Sequence, residues 1–155
     1  MSDGSEFRQL LRDAKLRVTI PRLAVMRAVG DNPHADTEAL IKASRGLVPD
    51  ISHQTVYDAL SALTAAGLVR RFQPTGSLAR YESRVGDNHH HLVCRSCGVI
   101  ADVDCAVGET PCLTPASDGS ADLQGFEVDE AEVIYWGLCP ACAPTRSDNA
   151  DVRSS

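Results

Sequence analysis

The amino-acid sequence predicts an α+β protein made of two unlike parts. Residues 1–84 contain capped segments of helical period, followed by two short strand-like runs around a Pro-Thr-Gly-Ser turn. Residues 85–142 are richer in strand-like runs and carry four cysteines in two Cys-x-x-Cys pairs. Helices grouped in one part and strands in the other are typical of α+β folds. Residues 143–155 are polar and aperiodic, so we expect a disordered tail.

Composition limits the class of protein. A chain of 155 residues with 43% hydrophobic residues can form one domain or two small ones. It has no apolar run of membrane-spanning length, and its polar, acidic start lacks the pattern of a signal peptide. We therefore expect a cytoplasmic protein with no membrane partner. In that reducing compartment, paired cysteines indicate metal binding rather than disulfides.

Four helices are expected in the first part. The first spans residues 6–15. The second begins after Thr19, whose hydroxyl can cap it, and the third begins near Asp36 or Thr37. The fourth has the clearest limits, because Ser52 is a favourable N-cap and Gly67 a favourable C-terminal stop.

Two strands, 68–73 and 79–83, are expected after the fourth helix, joined by the turn 74–77. Helices followed by a hairpin are the order of a winged helix-turn-helix, whose last helix enters the DNA major groove. On the polar face of that helix, Gln54 can bond a base edge and Tyr57 can contact a thymine methyl. An amphipathic helix whose polar face is merely solvated is the alternative.

Charge follows the same division. Residues 1–84 carry 12 Lys/Arg and 9 Asp/Glu (net +3), and residues 85–155 carry 3 and 12 (net −9), which together give −6. Only the first part is therefore suited to a polyanion. The candidates for phosphate contacts are Arg17, Arg22, Arg70, Arg71 and Arg80.

In the second part we expect strands at 91–94, 99–103 and 132–138 and a weak helix within 104–125. An exposed edge of such a sheet invites pairing with a second copy of the chain.

The two Cys-x-x-Cys pairs predict a closed zinc site. Each pair aims two thiolates at one point, and two pairs complete a tetrahedral shell. The 41 residues between the pairs exceed what a small zinc ribbon needs, so the ion would join distant strands. Free thiols or a disulfide are the alternative. The expected Zn²⁺ ligands are Cys94, Cys97, Cys139 and Cys142.

A run of three histidines, His89 to His91, precedes the first pair and suggests a second metal site of different donor type. One closed thiolate site beside such a site favours a metal sensor. A zinc enzyme is disfavoured, because four-thiolate zinc has no open position and the deaminase pattern H-x-E with P-C-x-x-C is missing.

Several separated motifs resemble the ferric uptake regulator (Fur) family. They are Val18-Thr-Ile-Pro-Arg22, Thr55-Val-Tyr57, His89-x-His91-Leu-x-Cys94-x-x-Cys97-Gly98 and Tyr135-Trp-Gly-Leu-Cys139-x-x-Cys142. They keep the family's order and spacing and are most similar to its peroxide-responsive branch. The resemblance implies a homodimer, joined by a C-terminal dimerisation domain, that binds an AT-rich inverted repeat in double-stranded DNA.

The residues expected to bind DNA lie on the fourth helix and among the arginines that are candidates for phosphate contacts. They are Arg17, Arg22, Gln54, Thr55, Tyr57 and Arg71. Asp58 stands where many members have a basic residue directly after Thr-Val-Tyr, which affects the choice of operator.

A regulatory site for Fe²⁺ or Mn²⁺ is implied as well, and its nitrogen and oxygen donors suit those ions. An ion held by residues from both parts would fix their angle across the hinge 84–88. Taken singly, each residue has a plainer reading as a loop histidine, a solvated carboxylate or part of a polar run. The implied ligands are His34, Glu82, His89, His91 and Asp102.

The implied function is a metal-dependent repressor. Asp102 resembles peroxide-sensing members, in which bound Fe²⁺ reacts with hydrogen peroxide, a ligand imidazole (His34 or His89) is oxidised and DNA is released. The regulated genes would be peroxide-defence genes such as that of a catalase-peroxidase. The alternative is an iron- or zinc-availability sensor that represses metal uptake. A pure interaction module would leave the regulatory ligands without a role.

A further metal site of the family's usual form is not expected. Two positions where the family often has histidines carry Asn88 and Ala131. His90 and Glu109 could be remnants of such a site. Cys105 and Cys112 are spare thiols, with packing or a redox switch as their alternative roles.

Overall fold

The computed structural model describes residues 3–108, 112–113 and 125–143. The chain divides between Gly86 and Asp87 into two compact units, here called the helical unit and the sheet unit. None of the helices in the described residues is long and apolar enough to cross a bilayer. The elements are α1 (Gly4–Asp13), α2 (Ile20–Asp31), α3 (Thr37–Leu47), α4 (His53–Ala65), β1 (Arg70–Phe72), β2 (Arg80–Glu82), β3 (His89–Cys94), β4 (Ile100–Asp104) and β5 (Ile134–Gly137).

Side-chain caps determine where three of the helices begin. The side chains of Thr19, Asp36 and Ser52 each accept a hydrogen bond from the backbone N–H three residues ahead, at 3.3, 2.9 and 3.1 Å. Each bond satisfies a donor that has no partner inside the helix. The three predicted starts are therefore confirmed.

The end of α4 also follows the prediction. Gly67 has φ +73°, and the next N–H, that of Leu68, donates to the Leu63 carbonyl at 3.0 Å, as in a Schellman motif. The Val69 N–H donates to the same carbonyl at 3.3 Å. Both amides are thus engaged with the helix, and β1 begins at Arg70, two residues later than expected.

The helices of the helical unit share one apolar core. Burying a large aliphatic side chain stabilises a fold by about 1.5–3 kcal/mol. This core fixes the rotation of α4, so its apolar stripe faces inward and its polar face outward. The fully buried aliphatic residues are Leu11, Val25, Val29, Leu40, Ile41, Val56, Leu60 and Leu63.

A short hairpin completes the helical unit. β1 and β2 pair antiparallel, with Arg71 opposite Tyr81. The Ser77 N–H donates to the Pro74 carbonyl at 2.9 Å and closes the turn between the strands. The predicted winged helix-turn-helix is present, and we call β1, β2 and this turn the wing.

The sheet unit contains three strands in the order β4-β3-β5. β3 pairs antiparallel with β4 and parallel with β5. All three expected strands are present, and β3 begins at His89 rather than at 91. Of the expected helix at 104–125, the described residues 104–108, 112, 113 and 125 are not helical, and the remainder lies outside the described residues. So does the expected tail beyond Ala143.

The central strand of the sheet unit buries imidazoles rather than aliphatic side chains. Among its described residues, Val93 and Cys94 are the buried hydrophobic ones, whereas His89, His90 and His91 are all at most 4% exposed. Buried polar rings are costly without partners. Their concentration on one strand therefore indicates a binding role.

Replacing Ser52 with alanine removes the cap of α4. We expect the free energy of unfolding of the full-length protein to fall by about 1 kcal/mol. Urea denaturation followed by far-ultraviolet circular dichroism measures this. Ser61→Ala, on the exposed face of the same helix, is the control and should change stability by less than about 0.5 kcal/mol. Equal losses in both variants would contradict the capping role.

Candidate metal centres and nucleic-acid face

The four paired cysteines meet at one edge of the sheet unit. Cys94 ends β3 and pairs with Gly137, which ends β5. Because these strands are parallel, the chain leaves both of them at the same end of the sheet. The Gly98 N–H donates to the Cys94 carbonyl at 3.0 Å and the Cys142 N–H to the Cys139 carbonyl at 2.9 Å, which closes two tight turns.

The sulfur atoms are spaced for a single ion. Those of Cys94, Cys97, Cys139 and Cys142 all lie within 4.8 Å of one another, and the Cys97–Cys139 separation is 3.6 Å. A tetrahedron with Zn–S bonds of about 2.3 Å has an edge of about 3.8 Å. The structure therefore brings the predicted four-cysteine cluster together, with a donor set that suits Zn²⁺.

The four thiols differ in acidity. Hydrogen bonds from the N–H groups of Cys97 and Cys139 outweigh burial and lower the pKa of Cys94 to about 6. Ser96 lowers the pKa of Cys142, but the neighbouring thiols of Cys139 and Cys94 raise it more, to about 11. Clustered sulfurs thus oppose one another's ionisation until a cation neutralises them.

In the helical unit, His34 and Glu82 form a nitrogen–oxygen donor pair. His34 Nε2 lies 3.5 Å from Glu82 Oε2, and the Glu82 side chain is only 2% exposed. Arg70 Nε lies 4.0 Å from the other carboxylate oxygen. A buried carboxylate requires such cationic or hydrogen-bonding neighbours.

The wing positions both members of this pair. The His34 N–H donates to the Tyr81 carbonyl and the Tyr81 N–H to the Ala35 carbonyl, both at 3.0 Å. This bridge attaches the loop between α2 and α3 to β2, where Glu82 follows Tyr81 directly. His34 has φ +65°, in the left-handed region that few residues other than glycine adopt.

In the sheet unit, two imidazoles and a carboxylate share one face. His89 and His91 alternate along β3, and His91 is opposite Asp102 on β4. Asp102 Oδ1 lies 3.6 Å from His91 Nε2 and 3.9 Å from His89 Nε2. His89 Nδ1 lies 2.8 Å from Asp87 Oδ1, and this contact orients the ring. Asp87 was not among the predicted site residues, although an aspartate two residues before a candidate ligand is a usable signal.

The suspected remnant site has different neighbours from those expected. His90 lies beside Cys105 and Cys112, and one donor atom from each of the three falls within 4.8 Å of the others. Glu109 lies outside the described residues.

The polar face of α4 remains available for a partner. Tyr57 is 46% exposed, and Gln54 Nε2 donates to Asp58 Oδ1 at 2.8 Å. Thr55 Oγ1 lies 2.8 Å from the capping hydroxyl of Ser52. Gln54 and Tyr57 are thus exposed on the helix that a winged fold uses for reading DNA.

The expected arginines are held near the surface. Arg22 donates to the Arg17 carbonyl at 2.8 Å, and Arg71 donates to Gln73 Oε1 at 3.2 Å. Such bonds orient the guanidinium groups and leave further N–H donors for phosphates.

A winged helix followed by a sheet unit with a four-cysteine cluster defines a metal-binding transcriptional regulator. Residues 13–114 match the sequence model of the ferric uptake regulator family. The chain therefore belongs to the ferric uptake regulator family of metal-responsive transcriptional regulators.

Named relatives agree with this assignment. The chain is 66% identical over 143 residues to the transcriptional regulator FurA of Mycobacterium tuberculosis, covering 92% of this chain and 94% of that protein. It is 27% identical over 136 residues to the peroxide operon regulator of Bacillus subtilis, covering 87% and 90%. The solved structure of the ferric uptake regulator of Pseudomonas aeruginosa with manganese is similar with TM-score 0.62 at 25% identity, covering 86% and 98%.

Acid should release the ion from the four-cysteine cluster. With pKa values of about 6 for Cys94 and about 11 for Cys142, Cys142 is protonated at neutral pH whereas Cys94 is a thiolate. At neutral pH, zinc binding must displace the proton of Cys142. Below about pH 6 it must also displace the proton of Cys94. Zinc affinity should therefore fall as pH falls, and more steeply below about pH 6. Chelator competition across this range measures it, with Cys97→Ser as the variant expected to lose the ion. An affinity independent of pH would contradict the assignment.

Proposed function

We propose that the protein is a metal-dependent repressor that binds operator DNA as a cytoplasmic homodimer and is released when peroxide oxidises its iron-loaded regulatory site. The observation that carries this proposal is the shared face of His89, His91 and Asp102. Two imidazoles and one carboxylate are the donor set that non-haem ferrous sites use while keeping positions open. A position left open on the ion would give peroxide access to the metal.

The helical unit supplies donors of the same chemistry. We assign His34 and Glu82 to the same Fe²⁺ or Mn²⁺ ion, which would then be bound by residues from both units. An ion shared in this way favours one relative arrangement of the units. It would thereby favour the spacing at which two winged helices of a dimer meet successive half-sites.

Coupling between metal and DNA is then reciprocal. If the ion raises DNA affinity, bound DNA must raise metal affinity by the same factor. Couplings of this kind are typically about 1–3 kcal/mol, or roughly 5- to 150-fold in affinity.

The four-cysteine cluster has a structural role in this proposal. We assign it Zn²⁺, which in a closed thiolate site neither exchanges readily nor activates water. It would stabilise a sheet unit that has few buried aliphatic residues. An exposed apolar pair on neighbouring strands, Leu92 at 44% and Tyr135 at 50% exposure, supports a dimer contact on this unit.

The DNA target follows from α4. Tyr57 and Gln54 would contact base edges, Thr55 would support them, and Arg17, Arg22 and Arg71 would contact phosphates. The thymine methyl preferred by an aromatic ring favours an AT-rich sequence, and a two-fold dimer favours an inverted repeat.

Oxidation supplies the switch. In the net reaction, hydrogen peroxide would transfer one oxygen atom to a carbon of a ligand imidazole, and its other oxygen would leave as water. The imidazole would be oxidised by two electrons, and bound Fe²⁺ would promote cleavage of the O–O bond without a net change in its own oxidation state. His89 and His34 are the proposed targets, and a ring carrying oxygen is a poorer ligand. The metal would then be lost and DNA released. By proposal, the gene expressed as a result is one for peroxide defence, such as a catalase-peroxidase. Because each event consumes a side chain, this is regulation rather than enzymatic turnover.

Sensing of metal availability is the second candidate. It uses the same donors and the same coupling, with iron or zinc loss rather than oxidation releasing DNA from metal-uptake genes. The solved structure of the ferric uptake regulator of P. aeruginosa with manganese supports this candidate, because release of a bound metal requires no peroxide.

The comparison of Fe²⁺ with Mn²⁺ separates the two candidates. DNA binding to an inverted repeat selected from a random library is measured at fixed salt before and after brief hydrogen peroxide. We expect the iron form to lose at least about tenfold in affinity, within the range of such couplings, and its His34 or His89 peptide to gain one oxygen by mass spectrometry. The manganese form should change in neither respect.

Asp102→Glu is the matched variant, since it keeps the charge and alters the reach of one ligand. It should still bind DNA with metal but oxidise more slowly. If the iron form keeps both its DNA and its histidine mass after peroxide, and only chelation releases DNA, the availability sensor is correct instead.

Substitutions on α4 and in the wing should have different effects. Tyr57→Ala should weaken operator binding by about 1–3 kcal/mol and leave non-specific binding nearly unchanged. Arg71→Ala should weaken both and reduce the slope of log affinity against log salt by about 0.9. Fluorescence anisotropy over a salt series measures both, with the unaltered protein as the reference. Identical losses on operator and random DNA in Tyr57→Ala would exclude base contact.

A further inference from the structure

The regulatory donors leave one buried histidine of β3 unused. His89 and His91 lie on one face of the strand, so His90 lies on the other. Cys105 follows β4 directly, and its N–H donates to the Asn88 carbonyl at 3.1 Å. This bond extends the β3–β4 ladder by one pair, so the pleat places Cys105 on the face of His90.

His90, Cys105 and Cys112 form a compact donor cluster. One ligand atom of each lies within 4.8 Å of the other two, and His90 Nε2 is 3.2 Å from Cys112 Sγ. His90 is 4% exposed, yet its Nδ1 has no hydrogen-bond partner in the part of the chain that the structure describes. The other ring nitrogen, Nε2, is therefore the one directed at the thiols, and sulfur is only a weak hydrogen-bonding partner for a buried imidazole.

The turn at Cys105 resembles the metal-binding turn at Cys94. The sulfur of Cys94 accepts hydrogen bonds from the backbone two and three residues ahead, at Ser96 and Cys97. The sulfur of Cys105 accepts the equivalent bonds from Val107 and Gly108, and these lower its pKa. Gly108 has φ +73°, which lets the chain turn tightly around the sulfur. Amides directed at sulfur in this way stabilise a thiolate ligand.

We propose that His90, Cys105 and Cys112 bind a divalent cation of the zinc class, at a site separate from the four-cysteine cluster and from the face of His89 and His91. Two thiolates and an imidazole are a zinc donor set, and three protein ligands leave a fourth position for water or an external ligand. Soft sulfur donors select Zn²⁺ over Mn²⁺ and Fe²⁺, the reverse of the preference on the opposite face. Because both thiols are partly exposed, the ion can exchange with solvent.

A disulfide between Cys105 and Cys112 is the competing role for the same two sulfurs. It would leave His90 Nε2 facing oxidised sulfur, which is a weak acceptor. Bound metal instead uses all three side chains. The proposal does not depend on peroxide sensing or on a regulatory ion.

Cobalt titration tests the site. Full-length, fully reduced protein with Zn²⁺ in its four-cysteine cluster is titrated anaerobically with Co²⁺. Cobalt bound by thiolate has a strong sulfur-to-metal charge-transfer band, whereas cobalt held only by imidazole and carboxylate has none. We expect the band to reach the intensity of one thiolate-bound cobalt ion per chain, whether or not the nitrogen–oxygen donors also take up cobalt, while the zinc content, measured by elemental mass spectrometry, remains constant.

Variants assign the band to its ligands. Cys105→Ser and Cys112→Ser should each reduce it at least tenfold, whereas His89→Ala, on the opposite face, should keep it. No band in protein whose Cys105 and Cys112 are reduced, an unchanged band in Cys112→Ser, or loss of the band in His89→Ala would each overturn the proposal.

Alkylation provides a readout that requires no variant. With Co²⁺ or Zn²⁺ bound, Cys105 and Cys112 of the unaltered protein should react with iodoacetamide at least tenfold more slowly, as followed by peptide mass spectrometry. An unchanged rate overturns the proposal even if the serine variants fail to fold.

Discussion

The hydrogen bonds of β3 to a strand on either side fix the direction of every donor that this strand carries. Pairing with β4 and β5 holds its six residues in a pleat, in which side chains alternate between faces. His89 and His91 therefore lie on one face of the sheet and His90 lies on the other. Cys94 lies at the end of the strand, where the four cysteines meet. A slip of one residue would exchange the two faces and dissolve both histidine-containing clusters at once.

The two units are stabilised in different ways. The helical unit has a continuous aliphatic core that orients α4 and supports the wing. The sheet unit buries mainly histidines along β3, and its described residues include few buried aliphatic side chains. Metal binding in such a unit contributes directly to folding free energy, because the unfolded chain has no preformed site. The helical unit is therefore stabilised by its own core, whereas the stability of the sheet unit would depend on bound metal.

Features set by local chemistry were predictable from the sequence. The caps at Thr19, Asp36 and Ser52 and the stop at Gly67 need only neighbouring residues, and the two Cys-x-x-Cys turns likewise carry their own geometry. The regulatory set came from family resemblance, since no local pattern relates His34 to Asp102. The grouping of His90 with Cys105 was missed because it depends on the register between β3 and β4. The late start of β1 was missed because the end of α4 retains two amides that a strand would have used.

The left-handed backbone of His34 restricts which amino acids can occupy the position. Only a few residue types, chiefly glycine, asparagine, aspartate and histidine, adopt this conformation at small cost. Of these, aspartate and histidine are also strong metal ligands. The backbone conformation imposed by the bridge to Tyr81 thus restricts this position to a few residue types, and two of these, aspartate and histidine, can bind a metal ion. Under the proposed function, a relative that had lost this ligand would be expected to carry asparagine or glycine here rather than alanine.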